Sequence, residues 1–141
     1  MLRGISSLIS PELLKILSEM GHGDEIVLAD ANFPTESFGQ RAVRADGIPA
    51  TALLDVILPL FPLDQYDRSN FVLMEVVPGD PYKPVIWEEY KAVLGRYEPQ
   101  AEVQHVERFA YYERAKKAYA VVATGEKAQY ANIILKKGVV K

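Results

Sequence analysis

Four short runs constrain this chain more than anything else in it: Ile26-Val27-Leu28-Ala29, Phe71 to Val77, Ala118 to Thr124 and Asn132 to Lys136. Each is rich in apolar residues and too short for a helix of ordinary length, so each reads as a strand, with 26–29 and 118–124 buried. Between them lie helical patterns. Ser10 can cap a helix in which Pro11 and Glu12 suit the first turn and Leu13, Leu14, Leu17 and Met20 form one apolar stripe. Gly21 is expected to end that helix in a left-handed conformation. Further helices are predicted from Thr51 to about Leu60, from about Val85 to Tyr97 and from Phe109 to Lys117, and weaker strands at Ala42–Ala45 and Val103–Glu107. The stretch from Ala31 to Gln40 reads as a loop, and Pro78-Gly79-Asp80-Pro81 as another. Strands that alternate with helices imply an α/β layered domain, a sheet with flanking helices. The pattern does not give the strand order.

At 141 residues the chain fits one domain, residues 1–141, large enough to bury a core without staples. A net charge of -3 argues against a general nucleic-acid binder, which needs a basic face. With no cysteine there are no thiolates and no Cys-ligated metal, and the two histidines, His22 and His105, are far apart in sequence. Neither a metal nor a cofactor is expected. The N-terminal apolar run is broken by Ser6, Ser7 and Ser10, unlike a signal peptide, and no stretch reaches the roughly 20 apolar residues that span a bilayer. The expected location is the cytoplasm, with no membrane partner.

Several tempting motifs fail. Gly21-His22-Gly23 lacks a third glycine and follows a helix, the reverse of a dinucleotide-binding turn. Asp30-Ala31-Asn32 begins like a calcium loop, but Pro34 stands where an oxygen ligand belongs. His22 is more informative. Its plainer reading is an exposed turn residue. Its functional reading rests on the flanking glycines, on a helix C-terminus that favours a protonated imidazole, and on Asp24, which can orient the ring. These features suit a proton donor. Asp30 follows an apolar strand and reads either as a loop carboxylate or as a hydroxyl acceptor at the carboxyl edge of a sheet. Asp64, in a turn after Pro62, reads as structural. Arg108 and Tyr112 are one helical turn apart and can face a common site; Tyr130 and Asn132 share a face of an extended segment.

Together these segments resemble the L-fucose mutarotase family, related to the D-ribose pyranases. The resemblance runs from about Ile9 to Gly138. It is carried by Ser10-Pro11-Glu12-Leu13-Leu14, by Met20 to Ile26, by Ala29-Asp30-Ala31-Asn32-Phe33-Pro34, by Arg44-Ala45-Asp46-Gly47, by Phe109 to Lys117, by Thr124-Gly125-Glu126 and by Tyr130 to Gly138. The Arg108 and Tyr112 segment looks like the fucose branch more than the ribose branch. The resemblance implies a mutarotase of α/β fold in a dimeric or ring-shaped homo-oligomer. It puts the family's proton donor on His22 and its sugar contacts on Asp30, Arg108, Tyr112, Tyr130, Asn132 and Asp64. The family pattern has Phe where Tyr111 stands, so the Tyr111 hydroxyl is expected at the surface or in a subunit interface. Tyr111 beside Tyr112 and several long apolar segments also suggest surface that one small domain does not cover alone.

The expected reaction, L-fucose anomer exchange, breaks the hemiacetal C1–O5 bond and needs only an acid and a base. His22 is the candidate donor to the ring oxygen. Tyr112 or Asp30, directly or through water, is the candidate for the anomeric proton. Two other readings share these residues: a ribose-type pyranase, and a sugar-binding module without catalysis. A titrating group between glycines favours catalysis.

Overall fold

The computed structural model describes residues 1–141. In chain order its elements are α1 (Pro11–Glu19), β1 (Glu25–Ala29), α2 (Thr35–Phe38), β2 (Ala42–Ala45), α3 (Ala50–Ile57), a 3₁₀ turn (Leu58–Leu60), β3 (Phe71–Met74), α4 (Ile86–Tyr97), β4 (Gln104–Val106), α5 (Arg108–Lys117), β5 (Ala120–Thr124) and β6 (Ile133–Lys136). The domain is α/β, as expected. The six strands form one sheet in the order β2-β5-β1-β6-β3-β4. β2, β5 and β1 run parallel, β6 is antiparallel to both its neighbours, and β3 and β4 are parallel to each other. Five strands therefore end at one edge of the sheet, and β6 alone begins there.

The missing alternation in the strand sequences has a direct cause. Ile26 and Leu28 of β1 face a large core with α1, α3 and α4, while Val27 and Ala29 face a smaller one with α5. The same division holds for Ile133 and Leu135 against Ile134, and for Phe71 and Leu73 against Val72 and Met74. Both faces of each strand are covered, so both must be apolar.

The first helix is capped as expected, with the Leu13 N–H donating to Ser10 Oγ at 3.1 Å. Its end differs. Met20 leaves the helix in an extended conformation, and the left-handed residue is Gly23, at φ 89°, rather than Gly21. The cause is Asp24, whose carboxylate accepts the Gly21 N–H at 2.8 Å and ties off the turn locally. The stretch predicted as a loop from Ala31 to Gln40 contains α2, and β3 stops at Met74 rather than Val77. Tyr111 also departs from expectation. It is fully buried among Val27, Val72, Ala115 and Val121, so its hydroxyl faces neither solvent nor a subunit interface. Tyr111 and Ala115 are the buried residues of α5, and the Tyr111 ring is the large side chain that this helix buries fully against the sheet. No helix is long and apolar enough to cross a membrane.

Candidate functional site

The strand directions divide the polar residues between two edges of the sheet. At the carboxyl edge lie Asp30 after β1, the segment Glu75–Asp80 after β3, Arg108 after β4, Gly125 and Glu126 after β5, and Tyr130 to Asn132 before β6. The opposite edge holds His22 before β1 and Asp64 before β3.

At the carboxyl edge, the Asp30 N–H donates to Asn132 Oδ1 at 2.7 Å, which joins the end of β1 to the start of β6. The Asp30 carboxylate accepts the Asn32 N–H at 2.9 Å. Partial burial pushes the Asp30 carboxyl up from its ordinary value; its backbone hydrogen bonds to Asn32 and Phe33 oppose this and Glu126 adds to it. Glu126 is itself fixed by backbone N–H groups of Ala50, Lys127 and Ala128. Beside them Tyr130 adopts φ 57°, the only non-glycine residue in the left-handed region. Such strain is held only where the surroundings over-determine it. Here Trp87 Nε1–H donates to the Tyr130 carbonyl at 2.8 Å, and the Tyr90 hydroxyl donates to the Ala131 carbonyl at 2.7 Å. The Tyr130 hydroxyl donates to Asp80 Oδ2 at 2.6 Å, and the Tyr130 and Tyr82 rings stack at 6.0 Å.

Arg108 opens α5, capped by Glu107, whose carboxylate accepts the Phe109 and Ala110 N–H groups. Its guanidinium lies over the Phe109 ring at 4.5 Å and carries no salt bridge, and with Glu75 to Pro78 it lines a cavity of about 270 Å³. Tyr112, one turn on, packs against Phe33 at 5.9 Å and Phe38 at 5.6 Å between ring centres. Asp30, Asn132, Tyr130, Arg108 and Tyr112 thus belong to one edge.

His22 and Asp64 do not join them within one chain. His22 Nε2 lies 3.1 Å from Asp64 Oδ1, the imidazole 45% exposed and the carboxylate only 6%. Asp64, read from the sequence as structural, is therefore the partner of the histidine, in place of Asp24. The same Oδ1 accepts the Tyr66 N–H at 3.0 Å, and the Tyr66 ring lies 5.6 Å from the imidazole. The five residues of β1 separate this pair from Asp30 by roughly 17 Å. No group of three or more His, Asp or Glu side chains is arranged to hold a metal ion.

A family profile, that of the RbsD / FucU transport protein family, matches residues 3–140. This chain belongs to that family. It is 54% identical over 140 residues to the L-fucose mutarotase of Actinobacillus pleuropneumoniae serotype 5b, covering 99% of this chain and 97% of the relative. It is equally identical, over 145 residues, to the fucose mutarotase of Danio rerio, covering 99% of this chain and 94% of that one. The fucose mutarotase of Streptococcus pneumoniae, solved in complex with L-fucose, superposes with a TM-score of 0.94 at 51% identity, over 99% of this chain and 100% of the other. RbsD of Bacillus subtilis, solved with D-ribose, shares the fold at a TM-score of 0.75 and 23% identity, over the full length of both chains.

The sequence reading missed Asp80, Tyr82, Trp87 and Glu126. Of these Asp80 had a local signal in the Pro78-Gly79-Asp80-Pro81 loop, and Glu126 stands in the Thr124-Gly125-Glu126 run that carries part of the resemblance. The His22–Asp64 pairing spans 42 residues and leaves no mark in sequence spacing.

Proposed function

We propose that this chain is an L-fucose mutarotase, an isomerase that exchanges the α and β anomers by opening and reclosing the pyranose ring. The observation that carries this is full-length similarity to fucose mutarotases together with the carboxyl-edge cluster around Asp30, Tyr130 and Asn132. That cluster offers a carboxylate, a phenol and an amide at fixed positions, the donor and acceptor mix that a ring of hydroxyls requires. Arg108 adds an unpaired guanidinium, and Phe33 and Phe38 around Tyr112 offer an apolar wall for the C6 methyl.

Two protons must move. In the opening step the anomeric hydroxyl gives up its proton, the C1–O5 bond breaks to leave the aldehyde, and O5 is protonated. We assign the O5 proton to His22. Asp64 occupies its Nε2, which orients the ring and leaves Nδ1 for the sugar. Tyr112 or Asp30 takes the anomeric proton. The aldehyde then turns about C1–C2 and recloses.

His22 lies too far from Asp30 to serve the same sugar within one chain, so the reading requires a homo-oligomer in which one copy presents His22 and Asp64 to the carboxyl edge of the next. Tyr66 and Phe109, both exposed, flank the two halves and suit burial in such a contact. On this reading the enzyme works in the cytoplasm, where cell fractionation will find it.

The test is NMR saturation transfer between anomers, with His22→Gln as control. Exchange in that variant is expected to fall roughly 10²–10⁴-fold, the usual worth of one general acid. Sugar affinity should change far less. Near-native exchange in folded His22→Gln protein would remove His22 from the mechanism. L-fucose is expected to exchange faster than D-ribose under matched conditions; the reverse ranking would replace the substrate assignment.

A further inference from the structure

A phenol hydroxyl has one proton to give and two lone pairs to receive with. At Tyr130 most of this capacity is already committed. The proton goes to Asp80 Oδ2 at 2.6 Å, and one lone pair receives the Val77 N–H at 3.3 Å. One lone pair remains. The O–H bond turns about Cζ–Oη, so its direction is set by Asp80, while the rest of the residue fixes where the oxygen sits. Its backbone is held at φ 57°, its carbonyl by Trp87, and its ring against Tyr82.

Asp80 is equally committed. Its other oxygen, Oδ1, accepts the Tyr82 N–H at 2.9 Å within the loop that follows Gly79. Both carboxylate oxygens therefore serve as acceptors, and no proton is available on Asp80 while it is ionised. The hydrogen bond from Tyr130 holds the Asp80 carboxyl below its ordinary value and raises the Tyr130 phenol, which keeps the proton on the phenol and the charge on the carboxylate.

We propose that Asp80 is a positioning residue for sugar recognition, fixing the Tyr130 hydroxyl as a hydrogen-bond acceptor that takes a proton-donating hydroxyl of the bound sugar. The inference rests on the fucose reading, in which Tyr130 touches the sugar. It adds a polarity to that contact: the site reads the direction of the sugar's O–H bond as well as the position of its oxygen.

Asparagine at position 80 separates this role from a merely structural one. It keeps the size of the side chain and the turn made with the Tyr82 N–H. It has only one acceptor oxygen, however, and the Tyr82 N–H claims it. The amide nitrogen then faces Tyr130 and donates, so the phenol proton turns toward the sugar. The sugar hydroxyl must reverse its own bonding to follow.

The experiment is a double-mutant cycle in L-fucose Kd, measured by NMR titration on Asp80→Asn, Tyr130→Phe and the double variant, with folding checked by thermal melting. Each single change is expected to weaken binding about three- to tenfold, the worth of one neutral hydrogen bond. The double variant should bind as Tyr130→Phe does, within about twofold, because Asp80 acts only through the phenol. Wild-type affinity in Asp80→Asn would overturn the proposal and leave Asp80 a turn residue. Equal loss from Asp80→Asn with and without the Tyr130 hydroxyl would also overturn it. Anomer exchange by the wild-type protein, run alongside, tests the fucose reading separately. Binding without exchange would sink the mutarotase reading and leave the cycle to judge Asp80.

Discussion

Tyr111, fully buried, and Asp30, half-buried, show how the site and the core compete at the level of single groups. The Tyr111 hydroxyl is buried without a hydrogen-bond partner. A buried polar group left unpaired costs about 1–3 kcal/mol. Tyr111→Phe removes the hydroxyl and keeps the ring packed in its cluster. It should raise stability by about 1 kcal/mol, seen as a rise of about 3–5 °C in Tm by calorimetry. A fall in Tm would mean that the hydroxyl has a partner in solution. Asp30 carries a related cost for a different reason. Its folded pKa is raised, chiefly by burial, so the ionised carboxylate disfavours the folded state at neutral pH. That cost is relieved as pH falls through the folded value, which lies above the ordinary aspartate value. Asp30→Asn keeps an acceptor for the Asn32 N–H and removes the charge. Its Tm at pH 7 should equal or exceed the wild type, while L-fucose binding weakens. In the wild type, sugar affinity should fall on acidification at a higher pH than an ordinary carboxylate would give. An affinity flat from pH 7 down to pH 4 would rule out a binding role for the carboxylate.

At the scale of elements, the apolar runs were legible because burial on both faces leaves a compositional signature. β1, β5 and β6 carry it clearly, and their positions were readable within a residue or two. β3 was read too long because Val76 and Val77 continue the apolar run while the backbone has already left the sheet for the Asp80 loop. The edge carrying Asp30, Tyr130 and Asn132 was readable in part, since residues that end or begin buried strands gather at sheet edges. The partner of His22 was not. Asp24 is near in sequence, but its carboxylate is spent on the Gly21 N–H, and the histidine finds Asp64 through the approach of two distant loops. One junction of elements makes a sharp prediction. A Cβ at Gly125 would lie 2.7–2.9 Å from the backbone of Gly47, and the Gly125 N–H donates to the Ile48 carbonyl at 2.8 Å. The end of β5 and the loop after β2 thus meet backbone to backbone, next to Glu126. Gly125→Ala must separate them, and overpacking of this kind costs about 1–3 kcal/mol. Urea unfolding should show that loss. An unchanged midpoint would mean the loop yields freely.

The whole molecule raises a question that neither edge answers alone, because the two halves of the proposed machinery sit at opposite ends of one strand. A monomer can bind sugar at its carboxyl edge without holding an acid against the ring oxygen. If catalysis requires a second copy, light scattering should give a mass well above the 15.8 kDa of one chain. The stronger test is complementation. His22→Gln lacks the acid but keeps an intact carboxyl edge; Asp30→Asn keeps the acid and lacks the sugar acceptor. Each alone should exchange L-fucose poorly. Unfolded together in equal amounts and refolded, they form mixed oligomers in which a site draws its histidine from one copy and its aspartate from another. Random mixing makes about a quarter of such shared sites fully wild type, since each half is intact with even odds in a heterologous contact. Exchange should therefore recover to about a quarter of the wild-type rate per chain after co-refolding, and not on simple mixing of folded stocks if subunits exchange slowly. If His22 and Asp30 served one sugar within one chain, no mixture of the two variants would contain a complete site. Activity after co-refolding would then stay at the average of the two variants, and the shared site would be refuted.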